Sequence, residues 1–407
     1  MASSQTTAPK PPVRIAVIGF GGLIGRRHTA HVLANTSATL AAVVDSAPGA
    51  PELAAQLAPG VPYYRSVAEM LSAATPDAAI VCTPNAFHVS VGLELADAGV
   101  HLLVEKPLAD TTAAARTLVD RGREKGVKLL VGHHRRFNPY IVAARKVLEA
   151  SESEPDGEGL GTVSAISGLW AAYKPEPYFA SAPWRRSRRQ GGGPIMINFV
   201  HEVDNLQYLL GPISRVSAER IIGRSSGSGE RDPDAVEDGA AFTLRFASGA
   251  VGTFILADGV VSPHFFEAGT GENPMLPRVR RPCPGEGDAG KAERKEQEDG
   301  EPADVYRIFG TNGTLSVPDM TFWSCGDGPR SWESKLQVQR VELEDDPRVP
   351  FDRQLDHFIA VIREETQIET GAGCTGEEGL RVIAVCEALV KALDDEEGGR
   401  VTVRYDG

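Results

Sequence analysis

At 407 residues the chain is long enough for two domains, each with its own core. Its 42% hydrophobic and 24% charged residues are ordinary for a soluble protein, and a formal net charge of −13 argues against nucleic-acid and anionic-membrane surfaces, which need clustered positive charge. Five scattered cysteines (Cys82, Cys283, Cys325, Cys374, Cys386) form no Cys-x-x-Cys pair, so neither a disulfide framework nor a metal site is expected.

Residues 1–12 lack the apolar core of a signal peptide, and no apolar run approaches the roughly 20 residues of a membrane span, so a cytoplasmic protein with a disordered tail is expected. Val13-Arg-Ile-Ala-Val-Ile18 then reads as a strand. The cluster Gly19, Gly21, Gly22, Gly25 reads as a turn opening a helix, and Ala41-Ala-Val-Val-Asp45 as a second strand ending in a carboxylate. That order suits a dinucleotide: its pyrophosphate lies against the free N–H groups of a helix N-terminus, where any Cβ in the turn obstructs the approach. Gly19, Phe20, Gly21, Gly22, Leu23 and Ile24 form the expected contact stretch. Asp45, 20 residues after Gly25, is placed to accept hydrogen bonds from an adenosine ribose and to repel a 2′-phosphate, which favours NAD over NADP. The spacing G-x-G-x-x-x-G is one residue longer than the usual fingerprint, with Gly22 the extra residue; a glycine-rich structural turn is the alternative reading.

Pro51 to Leu57 follows as a helix, and Ser66 caps the next with Glu69 at the capping-box position. Three short apolar runs then behave like central parallel strands ending in polar clusters. Ala78-Ala-Ile-Val-Cys82 ends in Thr83-Pro84-Asn85-Ala86-Phe87-His88, His101-Leu-Leu-Val104 in Glu105-Lys106-Pro107, and Lys128-Leu-Leu-Val131 in Gly132-His-His-Arg135-Arg136-Phe137. Open α/β sheets bind ligands at that carboxyl edge.

The glycine turn, Cys82-Thr83-Pro84-Asn85 with His88, Glu105-Lys106-Pro107 and Arg135-Arg136-Phe137 together resemble the Gfo/Idh/MocA family of sugar and cyclitol oxidoreductases, over nearly the whole chain. The resemblance implies an N-terminal Rossmann domain (13–135) and a C-terminal α+β domain with an open, mostly antiparallel sheet (136–407). It makes Lys106 the catalytic and substrate-binding lysine, and Thr83, Pro84, Asn85 and His88 the cofactor lining; the plainer role of Thr83-Pro84-Asn85 is to cap the next helix. Independently, a lysine beside a cationic nicotinamide and partly shielded from water has its proton loosened by desolvation and like charge, and can exchange it with a substrate hydroxyl. A surface lysine paired with an acid is the alternative. Glu105 either orients that lysine or meets the nicotinamide ribose.

In the second half, Val163 to Trp170 reads as a strand, and Lys174, Tyr178, Trp184, Arg185, Arg188 and Arg189 fall in a loop read as a rim over the active site, with Arg136, Lys174, Trp184 and Arg185 as candidate substrate contacts. From Ile195 to Leu210 apolar residues recur at 199, 200, 203, 206, 209 and 210, a helical spacing. His201 on that helix matches the family's substrate-contacting histidine. The aspartate that the family places four residues earlier is Ile197 here, which carries no proton; Asn198 is the nearest polar residue. Phe242–Phe246 and Val251–Ile255 read as a hairpin, as does Tyr306–Val317; 272–304 reads as a mobile insertion and 351–362 and 376–393 as closing helices. The outward face of the sheet is expected to be covered by a second copy, in a homodimer or homotetramer.

The combined expectation is hydride transfer between NAD and a secondary alcohol of a sugar, polyol or cyclitol held between the two domains, with Lys106 and His201 handling the proton. Lys174, Arg136 and Arg185 leave room for an acidic sugar. Two rivals stay open: a nucleotide-binding regulator without turnover, as in the galactose-regulon repressors that the fold resembles, and redox-neutral chemistry on tightly held NAD.

Overall fold

The computed structural model describes residues 10–153, 159–223, 234–273, 275–279, 302–368, 372–395 and 399–405. Residues 1–9 of the expected tail, and 274 and 280–301 of the expected insertion, lie outside the described residues. The chain forms two compact units. The first runs to Ala109 and adds Ala114–Gly132 and Phe351–Glu377; the second comprises Asp110–Ala113, His133–Pro350 and the chain from Glu378.

The first unit is built on β1 (Val13–Ile18), β2 (Ala38–Val44), β3 (Tyr63–Tyr64), β4 (Ala78–Val81), β5 (His101–Val104) and β6 (Leu129–Val131). They lie parallel in the order β6-β5-β4-β1-β2-β3, and Cys374–Thr375 adds a short antiparallel edge to β6. The uniformly apolar runs of β4 and β6 are buried on both faces, as parallel strands covered by helices require. Strand order reverses between β1 and β4, so the turns after these two strands open into one crevice. The helix Pro350–Ile362, expected in the second domain, packs Leu355, Phe358 and Ile359 into the core of the first beside Ile15, Val17 and Phe20. Its Phe351 ring is held under the Arg27 guanidinium at 4.0 Å.

The second unit carries β7 (Val163–Ala171), β8 (Ile213–Arg220), β9 (Gly239–Phe246), β10 (Val251–Ala257), β11 (Tyr306–Gly310), β12 (Gly313–Val317), β13 (Thr321–Ser324) and β14 (Gln337–Arg340). With Arg400–Thr402 they form a sheet in the order β14-β13-β12-β11-β7-β10-β9-β8-(400–402), antiparallel except for β7 beside β10. Strict alternation along β9 and β10 sends Phe242, Leu244, Phe254 and Leu256 inward. There they meet Phe199, Val203 and Leu206 from the segment Ile195–Leu210, and Val382, Val385 and Leu389 from helix Gly376–Asp394.

Candidate active site

In the first unit the glycine turn is shaped by contacts that exclude side chains. Gly19 has φ +80°, and a Cβ there would lie 2.8 Å from the Cys82 and Thr83 backbone. At Gly25 it would lie 2.2 Å from the Gly19 carbonyl oxygen, and at Gly21 2.9 Å from Asp45 Oδ2, whereas at Gly22 the nearest atom is 3.6 Å away. Asp45, at the end of β2, accepts the Gly21 N–H on Oδ2 and the Ala47 N–H on Oδ1, both at 2.9 Å. The Phe20 side chain is buried in the core, so it offers the turn only its backbone; Leu23 is exposed and Ile24 half-buried. After β4, Thr83 Oγ1 is buried and has no hydrogen-bond partner among the described residues. A bare glycine turn, a fixed carboxylate and an unpartnered hydroxyl at one crevice fit a dinucleotide. Pro84 is exposed and Asn85 half-buried in the turn that follows.

Lys106 stands half-buried after β5. Glu105 is buried and does not present its carboxylate to solvent: Oε1 pairs with His28 Nε2 at 2.8 Å, and Oε2 accepts the Lys106 backbone N–H at 3.1 Å. The helix Leu23–Ala34 is thereby tied to the backbone that carries Lys106. His28 was not among the expected site residues; its position three after Gly25 was the available signal. The His88 ring, expected to line the cofactor, is buried, with Nδ1 2.7 Å from the Pro107 carbonyl oxygen and Nε2 2.9 Å from that of Thr83, so it clamps the two loops together. Burial and the neighbouring Glu105 carboxylate push the Cys82 thiol up.

In the second unit the expected helix from Ile195 divides into a π-turn, Ile195–Phe199, and the α-helix Val200–Leu210. Such turns insert a residue and re-aim side chains, often at functional sites. His201 is buried, with the edges of His133 and His134 against its ring at 6.2 and 5.8 Å. In the sequence those two histidines stand only as part of the polar cluster after β6. Ile197, on the π-turn, lines a cavity with Lys174, Arg185, Glu237, Asp238 and Asp258. Lys174 Nζ donates to Asn198 Oδ1 and lies 3.8 Å from Asp258 Oδ2. Trp184 is half-buried next to Arg185 in the chain, its ring 5.8 Å from the Arg185 guanidinium. Two of the four loop and turn candidates, Lys174 and Arg185, therefore line one cavity, and Asn198 holds the first of them.

Arg136 does not join them. It is 2% exposed, binds the Asp204 carboxylate through Nε and Nη2 and Glu378 through Nη1, and stacks on the Tyr208 ring. Its donors serve the core, and the expected substrate contact gives way to these ion pairs. Arg135 is likewise buried, against Glu202 (2.6 Å), Glu267 (2.5 Å) and Glu272 (2.6 Å).

A family model described as an oxidoreductase family NAD-binding Rossmann fold matches residues 13–133, and one described as the C-terminal alpha/beta domain of that family matches 156–403. The chain is 30% identical over 260 residues to the D-glucoside 3-dehydrogenase of Escherichia coli (strain K12), covering 62% of this chain and 71% of that one. To the inositol 2-dehydrogenase of Rhizobium meliloti (strain 1021) it is 30% identical over 212 residues, 52% of this chain and 59% of that relative, so it spans less than two thirds of the latter's length. In fold it is similar to the crystallised WlbA dehydrogenase from Bordetella pertussis in complex with NADH and UDP-GlcNAcA, with a TM-score of 0.68 at 22% identity over 97% of this chain and 99% of that one. No helix among the described residues is long and apolar enough to cross a membrane. The two matches together account for most of the chain, which belongs to the Gfo/Idh/MocA family of NAD-binding oxidoreductases.

Proposed function

We propose that this oxidoreductase catalyses hydride transfer between NAD and a secondary alcohol or ketone of a sugar, polyol or cyclitol, with Lys106 as the proton-handling residue. The observation that carries this reading is the crevice at the strand reversal, where the glycine turn, Asp45, Thr83 and the Lys106 loop come from neighbouring strand ends of one sheet. Gly19 to Ile24, Thr83, Pro84 and Asn85 would hold the dinucleotide, and Asp45 its adenosine ribose; a 2′-phosphate would meet the Asp45 carboxylate, which disfavours NADP. Bound NAD supplies the hydride acceptor, and NADH the donor. Lys106 takes the hydroxyl proton in oxidation and returns it in reduction. Glu105 holds the lysine's backbone, and His28 holds Glu105. His201 is assigned the assisting role that the family pattern gives it, and Lys174, Arg185, Trp184 and Asn198 the substrate cavity. Ile197 contributes shape without a proton. The cysteine spacing favours a cytoplasmic enzyme, and the outward sheet face favours a homodimer or homotetramer.

Nicotinamide absorbance, followed with NAD⁺ and with NADP⁺ across a panel of sugars, polyols and cyclitols, tests the assignment. Wild type is expected to form NADH with at least one of them, and Lys106→Ala to lose about 10²–10⁴-fold of that rate, the usual share of a general acid–base group. Protein that binds NAD by calorimetry yet reduces none with the panel, and oxidises no NADH with the matching ketoses, would sink the reading.

A further inference from the structure

The cavity against the π-turn measures about 180 Å³. That is room for on the order of ten water molecules, each needing roughly 10–15 Å³ on this measure, which is about as many heavy atoms as a hexose or cyclitol ring carries. Its cations are each engaged from within the protein. The Lys174 ammonium donates to Asn198, faces Asp258 at 3.8 Å, and lies 5.4 and 4.8 Å from the Trp170 and Tyr178 ring centroids. Arg185 lies 3.9 Å over the Tyr178 ring and donates to the Tyr178 carbonyl and, at 3.1 Å, to Ser181 Oγ. Arg186 is paired outward with Glu176 at 2.6 Å. The same cavity is lined by Asp238 and by the buried carboxylates Asp258 and Glu237, the last accepting the Ile195 N–H at 2.8 Å.

We propose that Asp258 is a specificity-determining residue: paired with Lys174, it makes this cavity select neutral polyhydroxylated rings and reject their carboxylated counterparts. The proposal rests on reading the cavity as the substrate site. An incoming carboxylate has to displace Asp258 from Lys174 while being brought close to Glu237 and Asp238, and like charges confined in a poorly solvated lining are repelled. A ring hydroxyl meets no such barrier, because it donates to carboxylate oxygens and accepts from the ammonium. Lys174 considered alone favours an acidic sugar; its partner at the end of β10 reverses that preference.

Wild type, Asp258→Asn, Lys174→Gln and the double variant, each loaded with NAD, are titrated by calorimetry with D-glucose, myo-inositol and D-glucuronate. Wild type is expected to bind the better neutral ring at least tenfold more tightly than glucuronate. Asp258→Asn frees the ammonium and is expected to shift that ratio at least tenfold towards glucuronate, a gain that the double variant loses. Lys174→Gln leaves the carboxylates unopposed and is expected to keep the preference. Equal binding of glucose and glucuronate by wild type overturns the proposal whether or not the variants fold. So does an unchanged ratio in Asp258→Asn whose circular dichroism is native, even if neutral rings bind and turn over. Failure of every ring to bind wild type that still takes NAD removes the substrate reading of the cavity, and the proposal with it.

Discussion

At the scale of single residues, Gly22 and Gly25 lie in the same turn but face different constraints. A methyl group on Gly25 would sit 2.2 Å from the Gly19 carbonyl oxygen and 2.6 Å from the Phe20 Cα, both backbone atoms unable to swing aside. On Gly22, whose φ of −68° and ψ of 162° suit any residue, it would have ordinary contacts only. Gly25→Ala is therefore expected to weaken NAD binding more than tenfold or to unfold the first unit, and Gly22→Ala to stay within about threefold of wild type, since only the former forces the backbone to move. Calorimetric titration with NAD beside a urea melt decides it; equal losses in both variants would mean that the turn tolerates backbone shifts. Lys106 and Asp45 were legible because strand ends fix where they stand. Arg136 and His88 were not, because sequence gives residue type but not direction, and the partners that claim Arg136, Asp204 and Glu378, lie 68 and 242 positions away.

At the scale of elements, helix Val200–Leu210 carries both the candidate His201 and an unusual load of buried polarity. Its apolar period was plain in the sequence, but the π-turn ahead of it was not, because one inserted residue leaves that period almost unchanged. Nor could the period reveal that Glu202, Asp204 and Asn205 are buried too. Their partners come from elsewhere: Arg135 and Tyr306 on Glu202, Arg136 on Asp204, and Tyr306 again on Asn205. One guanidinium, Arg135, faces three carboxylates, which it cannot neutralise together. Burial raises Glu202 to about 7 despite Arg135, and Glu272 also moves up, while Glu267 moves down. A glutamate whose unfolded value is near 4.5 and whose folded value is about 7 binds more protons folded than unfolded between those limits. Its contribution to stability is thus complete below about 4.5, declines as pH rises, and is gone above about 7. Glu202→Gln, neutral throughout, lacks that decline. The variant is expected to gain on wild type by about 1–3 kcal/mol between pH 5 and pH 8, as read from urea midpoints at each pH. A constant difference across the range would show that Glu202 is ionised throughout.

At the scale of the whole molecule, each unit's core follows from its apolar pattern, but the return of Phe351–Glu377 to the first unit does not, because a helix's apolar stripe does not say which core it enters. The sheet of the second unit is clearer, since among the described residues one face is filled by helices and the other carries exposed apolar side chains. Cross-strand register places Val251, Ala165, Phe309, Thr314, Trp323 and Val338 in a single row from β10 to β14 on that outer face. Val251, Phe309, Trp323 and Val338 are 39% to 54% exposed, and Ile255 of β10, beside Leu169 of β7, adds a second apolar position. Residues paired across strands share a face, so this is one continuous surface rather than scattered exposure. Such a face is expected to meet a second copy of the chain about a twofold axis, where a stable interface needs roughly 1,200–2,000 Å². Sedimentation velocity at micromolar concentration is expected to find wild type as a dimer or tetramer. Phe309→Glu/Trp323→Glu places like charges where the two copies meet and is expected to yield monomer with NAD affinity retained, since the nucleotide crevice belongs to the first unit. A wild type that sediments as monomer, or a variant that keeps its assembly, would assign the exposed row to some partner other than a second copy.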